Sequence, residues 1–126
     1  MFYIRADAND IIATGHVMRC LTIADEIHSM GEQVVFITAD HLADLLIHER
    51  GYETICLDSK WDDMEKEIAR LKPIIKKEKI TKILVDSYYA TDTYLTQLSA
   101  DTKIIYMDDL GVVNAPVDML INYNIY

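Results

Sequence analysis

Residues 2–38 read FYIRADANDIIATGHVMRCLTIADEIHSMGEQVVFIT, and this stretch decides the fold. Phe2 to Ala6 is a short strand-like run. From His16 onward the apolar side chains Val17, Cys20, Leu21, Ala24 and Ile27 recur at helical spacing, which puts one face of a helix on a core. Gly31 suits the residue just past that helix, where a left-handed backbone is needed. Gln33 to Thr38 is then a continuous apolar run, as expected of a strand covered on both faces. Strand, helix and strand in this order make a βαβ unit with parallel strands.

The same alternation continues to the end of the chain. Leu42, Leu45 and Leu46 mark a second helix, flanked by His41 and His48 and closed by Gly51. Glu53 to Leu57 is a third strand. Asp62 and Asp63 open a third helix whose inner face is Trp61, Met64, Ile68 and Leu71, with a kink or restart expected at Pro73. Lys82 to Asp86 (KILVD) and Lys103 to Met107 (KIIYM) are buried strands separated by a helix from about Thr91 to Leu98, and Met119 to Asn122 (MLIN) is a sixth strand. The expectation is one α/β domain over residues 1–126, a Rossmann-like, doubly wound parallel sheet. In such sheets ligands bind where the carboxyl ends of the strands open into loops.

Composition removes several functional classes. The 126 residues carry 21 acidic and 12 basic side chains, a net charge of −9, which is unsuited to a nucleic-acid footprint. The basic cluster Lys72 to Lys79 is interleaved with Ile74, Ile75 and Glu78 and reads as a solvated helix face. No apolar run approaches the roughly 20 residues of a membrane span, and the N-terminus does not read as a signal peptide, so a cytoplasmic protein is expected. Cys20 and Cys56 form neither a disulfide framework nor a metal-ligand set.

Polar chemistry concentrates after four strands: Asp7 to His16, Asp86-Ser87-Tyr88-Tyr89, Asp108-Asp109-Leu110-Gly111 and Asn122-Tyr123-Asn124. In the first of these, Ile12-Ala13-Thr14-Gly15-His16 leads directly into the first helix. His16 then lies in the first helical turn, where the positive end of the helix dipole disfavours an imidazolium. A neutral imidazole there either accepts a proton as a general base or simply hydrogen-bonds a neighbouring loop. Tyr88, directly beyond the strand-four Asp, is placed for substrate contact. The Asp108-Asp109 doublet fits a turn or helix cap better than a cation site, so no metal and no cofactor are expected.

Ile4-Arg5-Ala6-Asp7-Ala8 and Thr14 to Asp25 (TGHVMRCLTIAD) together resemble the N-terminal signature of the UDP-sugar hydrolases of pseudaminic acid biosynthesis, relatives of which are described as spore coat polysaccharide biosynthesis proteins. VDSYY at 85–89 looks like that family's Asp-x-Tyr element, and MDDL at 107–110 and NYN at 122–124 look like its following strand ends. The resemblance implies the N-terminal half of a two-domain protein similar to the GT-B glycosyltransferases, with most of the UDP held by a C-terminal domain of the same protein. It further implies inverting hydrolysis of UDP-2,4-diacetamido-2,4,6-trideoxy-altrose, by water attack at the anomeric carbon and cleavage of the C–O bond. Carried onto this chain, His16 is the catalytic base, Thr14 and Gly15 shape the pocket, and Asp7, Arg19, Tyr88 and Asn122 are substrate-binding residues. The chain departs from the pattern at Ala13, where glycine is frequent, and at Ser87 and Tyr89, which replace a His and a Gly and bear on the choice of sugar.

Three alternatives are set against this expectation. A GT-B glycosyltransferase for a surface polysaccharide would use His16 on an acceptor hydroxyl instead of water. A phosphorylation-dependent receiver module fits the length and acidity, with Asp58 as acceptor, but Asp108-Asp109-Leu110-Gly111 supplies no Lys. A dinucleotide oxidoreductase lacks its G-x-G-x-x-G after the first strand.

Overall fold

A computed structural model describes residues 1–8, 15–87, 89–107 and 117–121. The elements alternate as β1 (Phe2–Ala6), α1 (Gly15–Ser29), β2 (Val34–Thr38), α2 (Asp44–Glu49), β3 (Glu53–Cys56), α3 (Met64–Lys77), β4 (Lys82–Asp86), α4 (Asp92–Ser99), β5 (Lys103–Met107) and β6 (Met119–Ile121). All five strand pairings are parallel and give the order β3-β2-β1-β4-β5-β6. This is the Rossmann-like, doubly wound arrangement expected from the alternation, with β1 and β4 at the centre.

Every residue of β1 and β2 is buried, because helices cover both faces of the central strands. The period-two alternation of a strand splits the core into two clusters. Phe2, Ile4, Ala6, Val34, Phe36 and Leu84 pack with Val17, Cys20, Leu21 and Ala24 of α1 and Ile47 of α2. Tyr3, Val35, Ile37, Ile83, Val85 and Tyr106 pack with Met64, Ile68, Leu71 and Ile75 of α3 and with Tyr94, Leu95 and Leu98 of α4. Gly31 adopts a left-handed φ of 91°, the conformation expected of the residue that turns the chain out of α1. Thr91 caps α4, its hydroxyl accepting from the Tyr94 N–H at 3.1 Å.

Several local details differ from the reading of the sequence or add to it. Around α2 the inward residues are Ala43, just before the helix, and Ile47 within it, whereas Leu42 and Leu45 are 66% and 70% exposed. The helix is only six residues long, so the single buried turn is set by how Ala43 and Ile47 meet the sheet and not by the count of leucines. Trp61 precedes α3, which starts at Met64, and packs edge-on against Tyr89 with ring centroids 5.0 Å apart. The helix then runs without interruption through Pro73, which costs the N–H bond to Ala69 but leaves Leu71 and Ile75 in the core on either side. His48 belongs to α2 itself and meets the Thr54 hydroxyl at 3.0 Å. The sixth strand is described to Ile121, and Asn122 lies outside the described residues.

The orientation of α2 is testable by chemical denaturation. Ile47→Ala is expected to cost about 2–5 kcal/mol through a cavity against the sheet. Leu45→Gln should stay within ~0.5 kcal/mol of the parent protein. Equal losses would mean that α2 presents a different face.

Candidate active site

The strand order reverses between β1 and β4: the chain leaves β1 for the β2–β3 side and leaves β4 for the β5–β6 side. The crevice expected at such a reversal lies beyond the carboxyl ends of these two strands. Ala6 and Asp86 are register partners at this point, so Asp86 ends β4 in the middle of the molecule. Leu84 contributes to the core beneath α1, and two residues further along the same face Asp86 meets the start of that helix.

Three side chains of α1 converge on Asp86. His16 Nδ1 lies 2.6 Å from Oδ1, Arg19 Nε donates to Oδ2 at 2.6 Å, and the Arg19 Nη2 group donates to Oδ1. The Cys20 thiol also donates to Oδ2 at 3.2 Å. Positions 16, 19 and 20 can share one carboxylate because residues three and four apart are neighbours on a helix surface. Asp86 and Cys20 are essentially sealed from solvent, whereas the side chains of His16 and Arg19 keep 10% and 16% exposure. Burial alone would raise the Asp86 carboxyl, but the hydrogen bonds from Arg19 and His16, with their charges, hold it below the ordinary carboxylate range. Asp86 is therefore an anion that only accepts hydrogen bonds, which places a proton on His16 Nδ1. In the neutral ring that tautomer carries its lone pair on Nε2. Burial and the adjacent Asp86 push the Cys20 thiol well up, so it is a hydrogen-bond donor and not a nucleophile.

A second charged group fills the opposite face. Arg5 has no solvent exposure, and its Nε and Nη2 donate to the two oxygens of Glu67 at 2.8 and 2.7 Å. Its Nη1 donates to Asp7 at 2.7 Å, Tyr94 donates to Glu67 at 3.0 Å, and the Ala39 N–H donates to the second Asp7 oxygen at 2.8 Å. Burial opposes the Arg5 charge, yet Asp7 and Glu67 more than offset it and hold the guanidinium firmly protonated. The Tyr94 hydroxyl is pushed far up by burial and by Glu67, so it remains a donor.

Four of the residues singled out from sequence are thus placed. His16 and Arg19 are brought together on Asp86, Gly15 begins α1 with open space where a side chain would project, and Asp7 faces Arg5 and the Ala39 amide. Thr14, Tyr88 and Asn122 lie outside the described residues, as do Asp108 and Asp109. Asp86 was marked only as the head of the polar segment after strand four, with no role assigned, and Cys20, Arg5, Glu67 and Tyr94 were not singled out as site residues. The signal for Asp86 was its position at the end of a central apolar strand, and the signal for Glu67 was an acid falling on the inner face of α3 between Met64 and Leu71. Among the described residues no group of three or more His, Cys, Asp or Glu is arranged to hold a metal, and no helix is long and apolar enough to cross a membrane. No family model, curated protein or solved structure matches the chain.

Two measurements follow from these networks. Glu67→Leu should cost about 3–5 kcal/mol in urea unfolding, because it leaves a buried guanidinium under-compensated. The lowered Asp86 carboxyl means that the folded state binds fewer protons than the unfolded one. Its contribution is complete above the ordinary carboxylate range and is lost as pH falls through the lowered folded value. Asp86→Asn should therefore flatten the acid limb of stability against pH, and an unchanged limb would show that Asp86 does not carry this linkage.

Proposed function

We propose that this domain is the base-bearing half of an inverting nucleotide-sugar hydrolase, in which His16 activates the attacking water. The observation that carries the reading is the His16 Nδ1–Asp86 contact of 2.6 Å at the point where the strand order reverses. A histidine whose Nδ1–H is fixed by a buried carboxylate is oriented to take a proton at Nε2. In the proposed step, the water oxygen bonds to the anomeric carbon, its proton passes to His16 Nε2, and the anomeric C–O bond breaks. UDP leaves with that electron pair, and the sugar product carries the inverted configuration.

The substrate class comes from the resemblance of residues 4–8 and 14–25 to the hydrolases that act on a UDP-linked diacetamido-trideoxy sugar. In that arrangement a C-terminal domain of the same protein holds most of the UDP. The acidity of this half, at net −9, suits a division of labour in which the diphosphate is gripped elsewhere.

The test is UDP release from UDP-2,4-diacetamido-2,4,6-trideoxy-altrose by the full-length protein in ¹⁸O-labelled water. Label should enter the sugar and not the UDP, since the C–O bond is the one cleaved. His16→Asn should lower turnover by at least ~100-fold, the smaller end of what a general base contributes, without loss of the folded state. Near-normal turnover in that variant would remove His16 from the mechanism. Sugar transfer that depends on an added acceptor alcohol would instead identify a glycosyltransferase using the same base.

A further inference from the structure

Two large aromatic side chains stand together outside the core, at the carboxyl edge of the sheet. Trp61 lies in the connection from β3 to α3, and Tyr89 lies three residues beyond Asp86 in the connection from β4 to α4. Their rings meet edge to face, with centroids 5.0 Å apart and planes at 78°. Neither ring belongs to the two core clusters: Trp61 is half-buried and Tyr89 is 40% exposed. We propose that Trp61 and Tyr89 form an aromatic wall of the crevice, against which the apolar face of the substrate's sugar ring packs, an assignment that rests on the nucleotide-sugar reading of this site.

The two connections that carry the rings are fixed independently of the ring contact. Arg70 of α3 donates through Nη1 to the Leu57 carbonyl at 2.8 Å and to the Asp58 carbonyl. The Ser59 N–H reaches the Ala39 carbonyl at 2.8 Å, and the Asp63 N–H donates to the Lys60 carbonyl at 3.1 Å, so Trp61 sits inside a bonded turn. On the other connection, the Tyr89 N–H donates to Ser87 Oγ at 3.1 Å. The Ser87 carbonyl in turn accepts from the Tyr106 hydroxyl at 3.0 Å. The Thr91 hydroxyl donates to a Glu65 oxygen at 2.7 Å and ties the start of α4 to the start of α3. Rings held in this way lose little freedom when a ligand packs on them.

The wall stands on the opposite side of the sheet from the charged centre. Trp61 and Tyr89 lead into α3 and α4, which cover one face, whereas His16 heads α1 on the other. A sugar seated over the ends of β1 and β4 has the histidine to one side and the aromatic pair to the other. Charged groups bind the polar substituents of a sugar but offer nothing to its C–H face, which an aromatic ring covers well. The proposed sugar suits such a wall. Its 6-deoxy carbon is a methyl group and its two acetamido groups end in methyls, so it buries more apolar surface than a fully hydroxylated hexose. In an edge-to-face pair only one of the four ring faces is covered by the partner ring, so the pair does not use up its own packing surface.

Trp61 is the only tryptophan in the sequence, so the tryptophan fluorescence of the 126-residue chain reports on this wall. The experiment titrates the chain with free 2,4-diacetamido-2,4,6-trideoxy-altrose, with N-acetylglucosamine and with UDP. The trideoxy sugar should change the emission saturably, and UDP alone should leave it unchanged. N-acetylglucosamine keeps its 6-hydroxyl and has one acetamido group, and it should bind at least about fivefold more weakly. Tyr89→Ala should weaken binding of the trideoxy sugar by about tenfold, whereas Tyr89→Phe keeps the ring and should stay within ~twofold of the parent. Trp61→Leu, followed by saturation-transfer NMR of the sugar, should show a loss like that of Tyr89→Ala. Circular dichroism checks that each variant is folded.

A Trp61 emission that ignores the trideoxy sugar, or that responds equally to UDP alone, would overturn the assignment. So would undiminished sugar binding by a folded Tyr89→Ala. Should that variant fail to fold, the parent titrations and Trp61→Leu decide the matter. Turnover separates this result from the hydrolase reading. Sugar binding at Trp61 without UDP release by the full-length protein defeats hydrolysis and leaves the wall standing, whereas UDP release with a silent Trp61 defeats the wall alone.

Discussion

A guanidinium with no solvent exposure sits in the central strand of the sheet, and much of the molecule's internal geometry follows from satisfying it. Withdrawing an ion from water costs several kcal/mol, which a partner repays only with near-ideal geometry and with its own remaining lone pairs satisfied. Arg5 meets both demands: Glu67 takes two of its donors side by side, Asp7 takes a third, and Tyr94 and the Ala39 amide satisfy the acids in turn. These bonds join β1 to α3, α4 and the turn after β2. They also fix α3 about its own axis, because a slip of one residue would rotate Glu67 by roughly 100° away from Arg5. Apolar packing on the same helix is more tolerant, since neighbouring aliphatic side chains can exchange places at modest cost.

The two charged centres occupy opposite faces of the same pair of strands and do different things. On the α3 side the network is closed: Arg5 and Glu67 are fully buried and every charge has a partner inside the protein. On the α1 side Asp86 is equally buried, but two of the groups that converge on it reach partly into solvent. Strand alternation makes this division possible, since Val85 and Asp86 are adjacent in sequence and project into different cores.

The fold was legible in the sequence because parallel α/β sheets write two clear signals, apolar runs for strands covered on both sides and helical periodicity between them. KILVD and QVVFIT could hardly be read otherwise, and Gly31 marked the end of α1 through the one conformation that glycine favours. Legibility failed where local pattern and tertiary packing disagreed. Leu42, Leu45 and Leu46 marked a second helix without showing which face turns inward, and the six-residue helix buries Ile47 while Leu42 and Leu45 stay exposed. The end of α3 was silent because its left-handed residue is Lys79, at φ 54°, and not a glycine. His16 and Arg19 were visible at the head of α1, yet their shared partner lies 70 and 67 residues away, and no local pattern joins them to it. Arg5 and Glu67 were hidden for the same reason: each looks like an ordinary charged residue until the other is brought beside it.

That separation bears on how the protein acquires its chemistry as it folds. β1 and β4 are neighbours in space, but β2, α2, β3 and α3 lie between them in the chain, so their pairing closes a long loop before its contacts are gained. The first βαβ unit can dock early from contacts near in sequence, with His16 and Arg19 already in place on α1. Until β4 slides in beside β1, however, neither the histidine nor the arginine has Asp86 to hold. Competence at this centre therefore requires a long-range step of sheet assembly, and a chain stalled before β4 joins β1 would lack this arrangement of side chains.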